Sequence, residues 1–460
     1  MMLAYDAIII GTGQAGPSLA GRLTAAGMKV AVIERGRFGG TCVNTGCIPT
    51  KTMVASAYAA HMARRAAEYG VTIASPVTVD MKQVKARKDQ VSGASNHGVE
   101  KWLKNMANCV VYEGHATFEA PHEVNVGGTR LSADRIFVNV GGRAVVPEIT
   151  GWEGISFLTN SSMMELDVLP RHLVIVGGSY IGLEFGQMFR RFGSEVTILE
   201  GGDRLIQRED KDVSDEIRAI LEREGVAIRT NATPTKLAKD DDEIVVTADC
   251  SGQVEEIRGS HLLFATGRRP NTDSLGLDKA GVEVDARGYI KVDDQLRTNV
   301  PGIWALGDCN GKGASTHTSY NDFEIVAANL LDNDSRRVSD RIQAYALYID
   351  PPLGRIGMTE AEVRRSGRKA LIGKRPMTRV GRAVEKGETQ GFMKIVVDAE
   401  TREVLGAALL GTGCDEVIHS ILDVMYAKAP YTVIQRAMHI HPTVSELIPT
   451  ILGELQPPSA

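Results

Sequence analysis

Apolar and polar positions fall into blocks along this chain, and one arrangement of blocks occurs twice. Residues 3–34 read as strand, turn, helix and strand. Ala7-Ile8-Ile9-Ile10 is a short apolar run, a helix-like stretch reaches about Ala26, and Lys29-Val30-Ala31-Val32-Ile33-Glu34 is apolar again. The order returns at Leu173-Val174-Ile175-Val176, with a helix to about Phe192 and then Glu195-Val196-Thr197-Ile198-Leu199-Glu200. The two repeats also close alike: 135–140 runs into Gly141, and 262–266 runs into Gly267. Between them the pattern predicts helices over about 48–68 and 81–105 and short strands over 109–140. The basic run Lys82, Lys85, Arg87, Lys88, Lys101 and Lys104 in the second helix is expected to be a solvated face. Residues from about 338 alternate strands (355–358, 391–397, 404–410) with helices (about 415–428 and 444–454).

The turns inside the repeats carry chemistry. Gly11-Thr12-Gly13-Gln14-Ala15-Gly16 follows a strand and opens a helix, and Glu34 lies 23 residues after Gly11. That context is the dinucleotide-binding fingerprint. Its glycines permit the turn and close approach of a pyrophosphate, the helix N-terminus faces phosphate, and the acid accepts from ribose hydroxyls. Gly177-Gly178-Ser179-Tyr180-Ile181-Gly182 repeats it, with Glu200 again 23 residues on and Ser179 departing at the second glycine. Two such units imply two dinucleotides and an α/β fold with two Rossmann-like domains.

Composition adds mainly exclusions. With 460 residues the chain holds more than one domain, and a net charge of −5 gives no reason to expect nucleic acid or an acidic membrane as partner. No run approaches the length of a membrane span, the N-terminal apolar run is a strand, and a cytoplasmic location is expected. Of six cysteines, Cys109, Cys250, Cys309 and Cys414 have no close partner in sequence and are expected to pack. No metal site is expected.

Cys42 and Cys47 are different. They lie in Gly39-Gly40-Thr41-Cys42-Val43-Asn44-Thr45-Gly46-Cys47-Ile48-Pro49-Thr50-Lys51. In a regular helix their spacing separates the Cα atoms by about 8–9 Å, beyond the usual disulfide range of about 4.4–6.8 Å. The segment must compact if they bond, and Gly46 gives the backbone latitude. Pro49 suits a first helical turn, and a thiol at that helix N-terminus is biased toward thiolate. The spacing alone also suits two buried cysteines in a glycine-rich turn. Near the other end, Thr443 and Glu446 have capping-box spacing, and His441 is biased out of helix by Pro442.

The run GGTCVNTGCIPTK resembles the redox-disulfide signature of the flavin-dependent pyridine nucleotide–disulfide oxidoreductases. Val300-Pro301-Gly302-Ile303-Trp304-Ala305-Leu306-Gly307-Asp308 resembles that family's second flavin motif, and HPTVSE its C-terminal signature. The resemblance covers essentially the whole chain. It implies an FAD-binding domain (1–145), an NAD(P)-binding domain (146–268), a return to the flavin domain (269–335) and an α+β dimerisation domain (336–460). It implies FAD at Gly11, Gly13, Gly16, Glu34, Thr41 and Asp308, and a nicotinamide dinucleotide at Gly177, Gly182, Tyr180, Glu200 and Gly267. By the same resemblance Cys47 holds the thiolate nearer the flavin, and Cys42 attacks substrate. Lys51 and Glu184 form an ion pair by the flavin, and Tyr180 gates the nicotinamide pocket. His441, oriented by Glu446, serves as acid–base group for the partner subunit of a homodimer.

Glu200 favours NADH over NADPH, although Arg204 and Arg208 lie just downstream. Gly21, where glutathione reductases carry a glutathione-binding Arg, argues against glutathione disulfide. The absence of a C-terminal cysteine pair separates the chain from mercuric reductases. A lipoyl-type dithiol is the leading substrate. Val138-Asn139-Val140-Gly141-Gly142-Arg143 and Ser319-Tyr320-Asn321-Asp322-Phe323 look instead like a mercuric-reductase-like branch that includes an oxidative-stress flavoprotein. Metal-ion reduction is therefore the first alternative, and a flavin-bearing electron-transfer subunit of a complex the second.

Overall fold

A computed structural model describes residues 2–458. Its first sheet is organised on strand Met2–Ile10, which has parallel strands on both edges and whose last four residues are buried in two clusters, Ile8 and Ile10 in one and Ala7 and Ile9 in the other. Val30–Glu34 pairs on one side and Thr129–Val138 on the other, and Cys109–Glu113 extends the sheet beyond Val30–Glu34. The far edge of Thr129–Val138 is shared. Its first half takes Glu123–Val126 antiparallel, and its second half takes the distant Ile303–Ala305 in parallel.

A second parallel sheet runs in the order Ala227–Arg229, Glu195–Leu199, His172–Val176, His261–Phe264. An antiparallel meander, Ala232–Asp240, Glu243–Cys250 and Gln253–Gly259, follows Ala227–Arg229. Gly142–Ala144 and Arg268–Pro270 pair antiparallel where the chain leaves the first sheet and returns to it. The last sheet is five-stranded and antiparallel: Ala344–Leu347, Leu353–Gly357, Val404–Leu410, Phe392–Asp398, Ala370–Pro376. Every residue of its central strand Val404–Leu410 and of the neighbouring Phe392–Asp398 is buried, which needs cover on both faces.

Helix Cys47–Arg64 continues as a 3₁₀ turn, Ala66–Tyr69, and helix Met81–Lys104 is capped by Asp80, which accepts from the N–H groups of Lys82 and Gln83. The expected solvated face of the second helix has an exception. Lys88 is 3% exposed and donates to the Met164 carbonyl at 2.6 Å, because its side of the helix packs on the turn Ser162–Glu165. The helix expected over 415–428 is broken into Cys414–Val417 and His419–Tyr426, and the one over 444–454 starts as a 3₁₀ turn, Ser445–Leu447, before Ile448–Gly453. Among the described residues no helix is long and apolar enough to cross a membrane.

Candidate active site

The two glycine turns are built alike. Gly11 and Gly177 both have left-handed backbone, with φ of 103° and 115°. A Cβ on Gly11 would lie 2.3 Å from the Asn139 carbonyl oxygen, and one on Gly177 would lie 2.4 Å from that of Ala265. Gly16 and Gly182 press the following helix onto the turn: an added Cβ would come 2.4 Å from the Gly11 oxygen and 2.0 Å from the Gly177 oxygen. The acids close both turns. Glu34 accepts from the Thr12 N–H and hydroxyl at 3.0 and 2.5 Å and from the Gly36 N–H at 2.9 Å. Glu200 accepts from the N–H groups of Gly178 and Gly202 at 2.7 and 2.8 Å, and from the Gln207 amide at 3.1 Å. A side chain at any of these glycines would strike backbone, so both turns hold the tight strand-to-helix geometry whose helix N-terminus fits a dinucleotide phosphate.

A cavity of about 1190 Å³ runs from the first turn to the start of helix Tyr180–Phe192. Gly11, Gly13, Glu34, Thr41 and Asp308 line it, as do Cys42, Cys47, Lys51, Tyr180 and Glu184. Gly16, Gly177, Gly182, Glu200, Gly267, His441 and Glu446 do not.

The compaction expected around the cysteines is a helix break. Cys42 sits in the short helix Gly40–Asn44, Thr45-Gly46 interrupts, and Cys47 is the first residue of Cys47–Arg64. A Cβ at Gly46 would lie 2.9 Å from the Thr41 oxygen, so close backbone approach is what demands glycine there. The two sulfurs are not bonded to each other. Cys47 is held down to about 6 by the hydrogen bond from the Cys42 thiol, helped against burial by Thr316, 3.0 Å away, and by the Lys51 charge. The same thiol–thiol bond, with burial, pushes Cys42 up. Lys51 Nζ donates to Glu184 at 2.7 Å, and the other Glu184 oxygen accepts from the Tyr348 N–H at 3.0 Å.

Asp308 lies in the turn Gly307–Asn310. Asp322 fixes that turn by accepting from the Gly307 N–H at 2.7 Å and the Asn310 amide at 3.0 Å while pairing with Arg341. Burial raises the Asp308 carboxyl, opposed by the charge of Arg268, 3.8 Å away.

His441 stands apart from the cavity, its side chain 79% exposed, with Nδ1 2.9 Å from the Glu446 carboxylate. Only half of the expected capping box forms. The Glu446 N–H donates to Thr443 Oγ1 at 3.2 Å, while the carboxylate turns to His441. Met438 and Ile440 beside it are 99% and 79% exposed.

Four residues that hold the site were not singled out as site residues by the sequence. Thr316 bonds Cys47, and Asn139 Nδ2 donates to the Gly13 carbonyl at 3.1 Å. Tyr348 supports Glu184 through its backbone, and Asp322 anchors the Asp308 turn. Asn139 and Asp322 lie within the two stretches that depart from the housekeeping dehydrogenase pattern, which was the available signal.

The pattern of the pyridine nucleotide-disulphide oxidoreductases matches residues 5–322, and that of their dimerisation domain matches 343–451. The chain belongs to this family. It is 36% identical over 453 residues to the probable pyridine nucleotide-disulfide oxidoreductase RclA of Escherichia coli (strain K12), covering 97% of this chain and 98% of that one. It is 33% identical over 450 residues to the dihydrolipoyl dehydrogenase of Thermus scotoductus, covering 97% and 96%. With a mercuric reductase of Bacillus cereus it shares 34% over 420 residues, 90% of this chain and 66% of that one. The solved HOCl-induced flavoprotein disulfide reductase RclA from Escherichia coli superposes with a TM-score of 0.89 at 36% identity, over 98% of this chain and 99% of that one. The protein is accordingly an NAD(P)H-dependent flavoprotein oxidoreductase whose cofactors are FAD and a nicotinamide dinucleotide, with a C-terminal dimerisation domain.

Proposed function

We propose that this family member is an NADH-preferring dithiol–disulfide oxidoreductase in which Cys42 meets substrate and Cys47 is the internal thiolate. The observation that carries the reading is the setting of Cys47: its Sγ lies 3.0 Å from Thr316 Oγ1, and the Lys51 charge, fixed by Glu184 at 2.7 Å, favours its thiolate. FAD would be held by Gly11, Gly13, Gly16, Glu34, Thr41 and Asp308. NADH would be held by Gly177, Gly182, Glu200 and Gly267, with Tyr180 at the cavity wall. Bound there, the flavin supplies two-electron exchange between nicotinamide and the sulfur pair. Lys51, fixed by Glu184, keeps a positive charge beside Cys47.

Attack by Cys42 on a disulfide requires its proton to leave, and the departing sulfur requires one back. The partner subunit's His441, held by a carboxylate, suits that exchange. Its exposure next to Met438 and Ile440 supports a site shared across the dimer. The Glu200 carboxylate favours a ribose diol and repels a 2′-phosphate. Arg204 is already engaged by the Gln207 carbonyl and Asp203.

A lipoyl-type dithiol is the leading substrate. One observation favours a second reading, reduction of a soft metal ion in oxidative stress: RclA, 35% identical over 98% of this chain, has been solved as a Cu(II) complex. Anaerobic reduction with NADH, followed by lipoamide, glutathione disulfide, Cu(II) and Hg(II) in turn, separates them. Reoxidation by lipoamide supports the first reading. Reoxidation by the metal ions alone supports the second.

A further inference from the structure

We propose that Arg208 is a dinucleotide-binding residue that takes phosphate oxygens of the nicotinamide cofactor, presented to the cavity by a strained loop clamped to the C-terminal sheet. This rests on the nicotinamide reading above and extends it to a residue outside both glycine turns.

The loop follows the strand that ends beside Glu200. Within it Ile206 is buried, β-branched and left-handed, with φ of 43°, a conformation that such a side chain rarely adopts. Its N–H donates to the Gly178 carbonyl at 3.0 Å, which seats the loop on the second glycine turn. The residues around Arg208 are fixed from both sides. The Gln207 amide bonds the Glu200 carboxylate, and the buried Glu209 carboxylate accepts from the Tyr345 hydroxyl. Arg208 then lays its guanidinium over the Tyr345 ring, 3.7 Å from the centroid, and lines the cavity with Tyr345 and Tyr180.

The charge at this point is uncommitted. Three other cations of the cavity wall are committed: Lys51 to Glu184, Arg341 to Asp322, and Arg268 to Asp308 and the Gly142 carbonyl; Arg35 and Lys312 also line the wall, but neither shares the loop on the second glycine turn. Among the described residues Arg208 has no hydrogen bond or ion pair, and the neighbouring Glu209 carboxylate is turned to Tyr345 and Arg355. Stacking occupies the face of a guanidinium and leaves its in-plane N–H fork free, and that fork matches phosphate. A 2′-phosphate would fall at the Glu200 end of the turn. Arg208 shares its wall with Tyr180, so it is placed for the part of the cofactor that NADH and NADPH have in common.

The test compares wild type, Arg208→Met and Arg208→Lys as FAD-loaded dimers, with kcat and KM measured for NADH and NADPH against ferricyanide at low and high salt. Arg208→Met should raise KM for both nucleotides by the same factor, roughly ten- to a hundredfold, with kcat unchanged and KM less sensitive to salt. Arg208→Lys should recover part of the loss. Unchanged KM values would overturn the proposal, and so would a loss confined to NADPH. Flavin bleaching of the wild type by saturating NADH tests the oxidoreductase reading separately, whatever Arg208 does.

Discussion

Cys47 Sγ lies 3.0 Å from Thr316 Oγ1, a contact that spans 269 residues of sequence. A hydroxyl at that distance stabilises a thiolate more than a thiol, so it adds to the bond from Cys42 in holding Cys47 down to about 6. Below that pH the sulfur is protonated; above it the thiolate persists. Thr316→Val should move the midpoint of thiolate ultraviolet absorbance upward by roughly one unit, since a lost charge-assisted hydrogen bond is worth about that much. Thr316→Ser should restore it. An unmoved midpoint in the valine variant would remove Thr316 from the account.

His441 and Glu446 are bonded at 2.9 Å outside the cavity. If they serve the partner's dithiol, His441→Ala should cut turnover on a disulfide by roughly 10²–10⁴-fold while bleaching of the flavin by NADH proceeds at the normal rate. Glu446→Gln should give a milder loss. Stopped-flow absorbance resolves the two half-reactions.

Glu200 accepts three hydrogen bonds at the end of the second glycine turn. Wild-type kcat/KM should favour NADH, and Glu200→Ala should narrow the preference by roughly tenfold or more as the repulsion of a 2′-phosphate is lifted. Equal wild-type efficiencies with the two cofactors would contradict the assignment.

Gly182 leaves no room for a side chain, because its Cβ would sit 2.0 Å from a backbone oxygen that cannot swing away. Gly182→Ala should lower stability by about 1–3 kcal/mol and abolish NADH binding. Flavin content should be retained, since the first turn is separate. Calorimetric Tm and the flavin spectrum check both halves.

Much of this architecture was legible in the sequence because its signals are local. Each glycine turn, its preceding strand and its acid fall within one short segment, and so do Cys42 and Cys47. What the sequence hid is held together across long separations. Thr316 reaches Cys47, Asn139 reaches Gly13 and Tyr348 reaches Glu184 only after the sheets assemble, and no spacing rule links them. Lys88 departs from the solvated face for a related reason: a basic run records charge, but which side of the helix meets the turn Ser162–Glu165 is decided by packing. At Glu446 two local signals competed, a cap and a histidine partner, and the carboxylate serves the histidine.

An anaerobic NADH titration of wild type, Cys42→Ser and Cys47→Ser, watched for long-wavelength thiolate–flavin absorbance, separates the roles of the two sulfurs. The band should persist in Cys42→Ser, where Thr316 and Lys51 still favour the Cys47 thiolate, and vanish in Cys47→Ser. A band that survives loss of Cys47 and disappears with Cys42 would contradict that assignment.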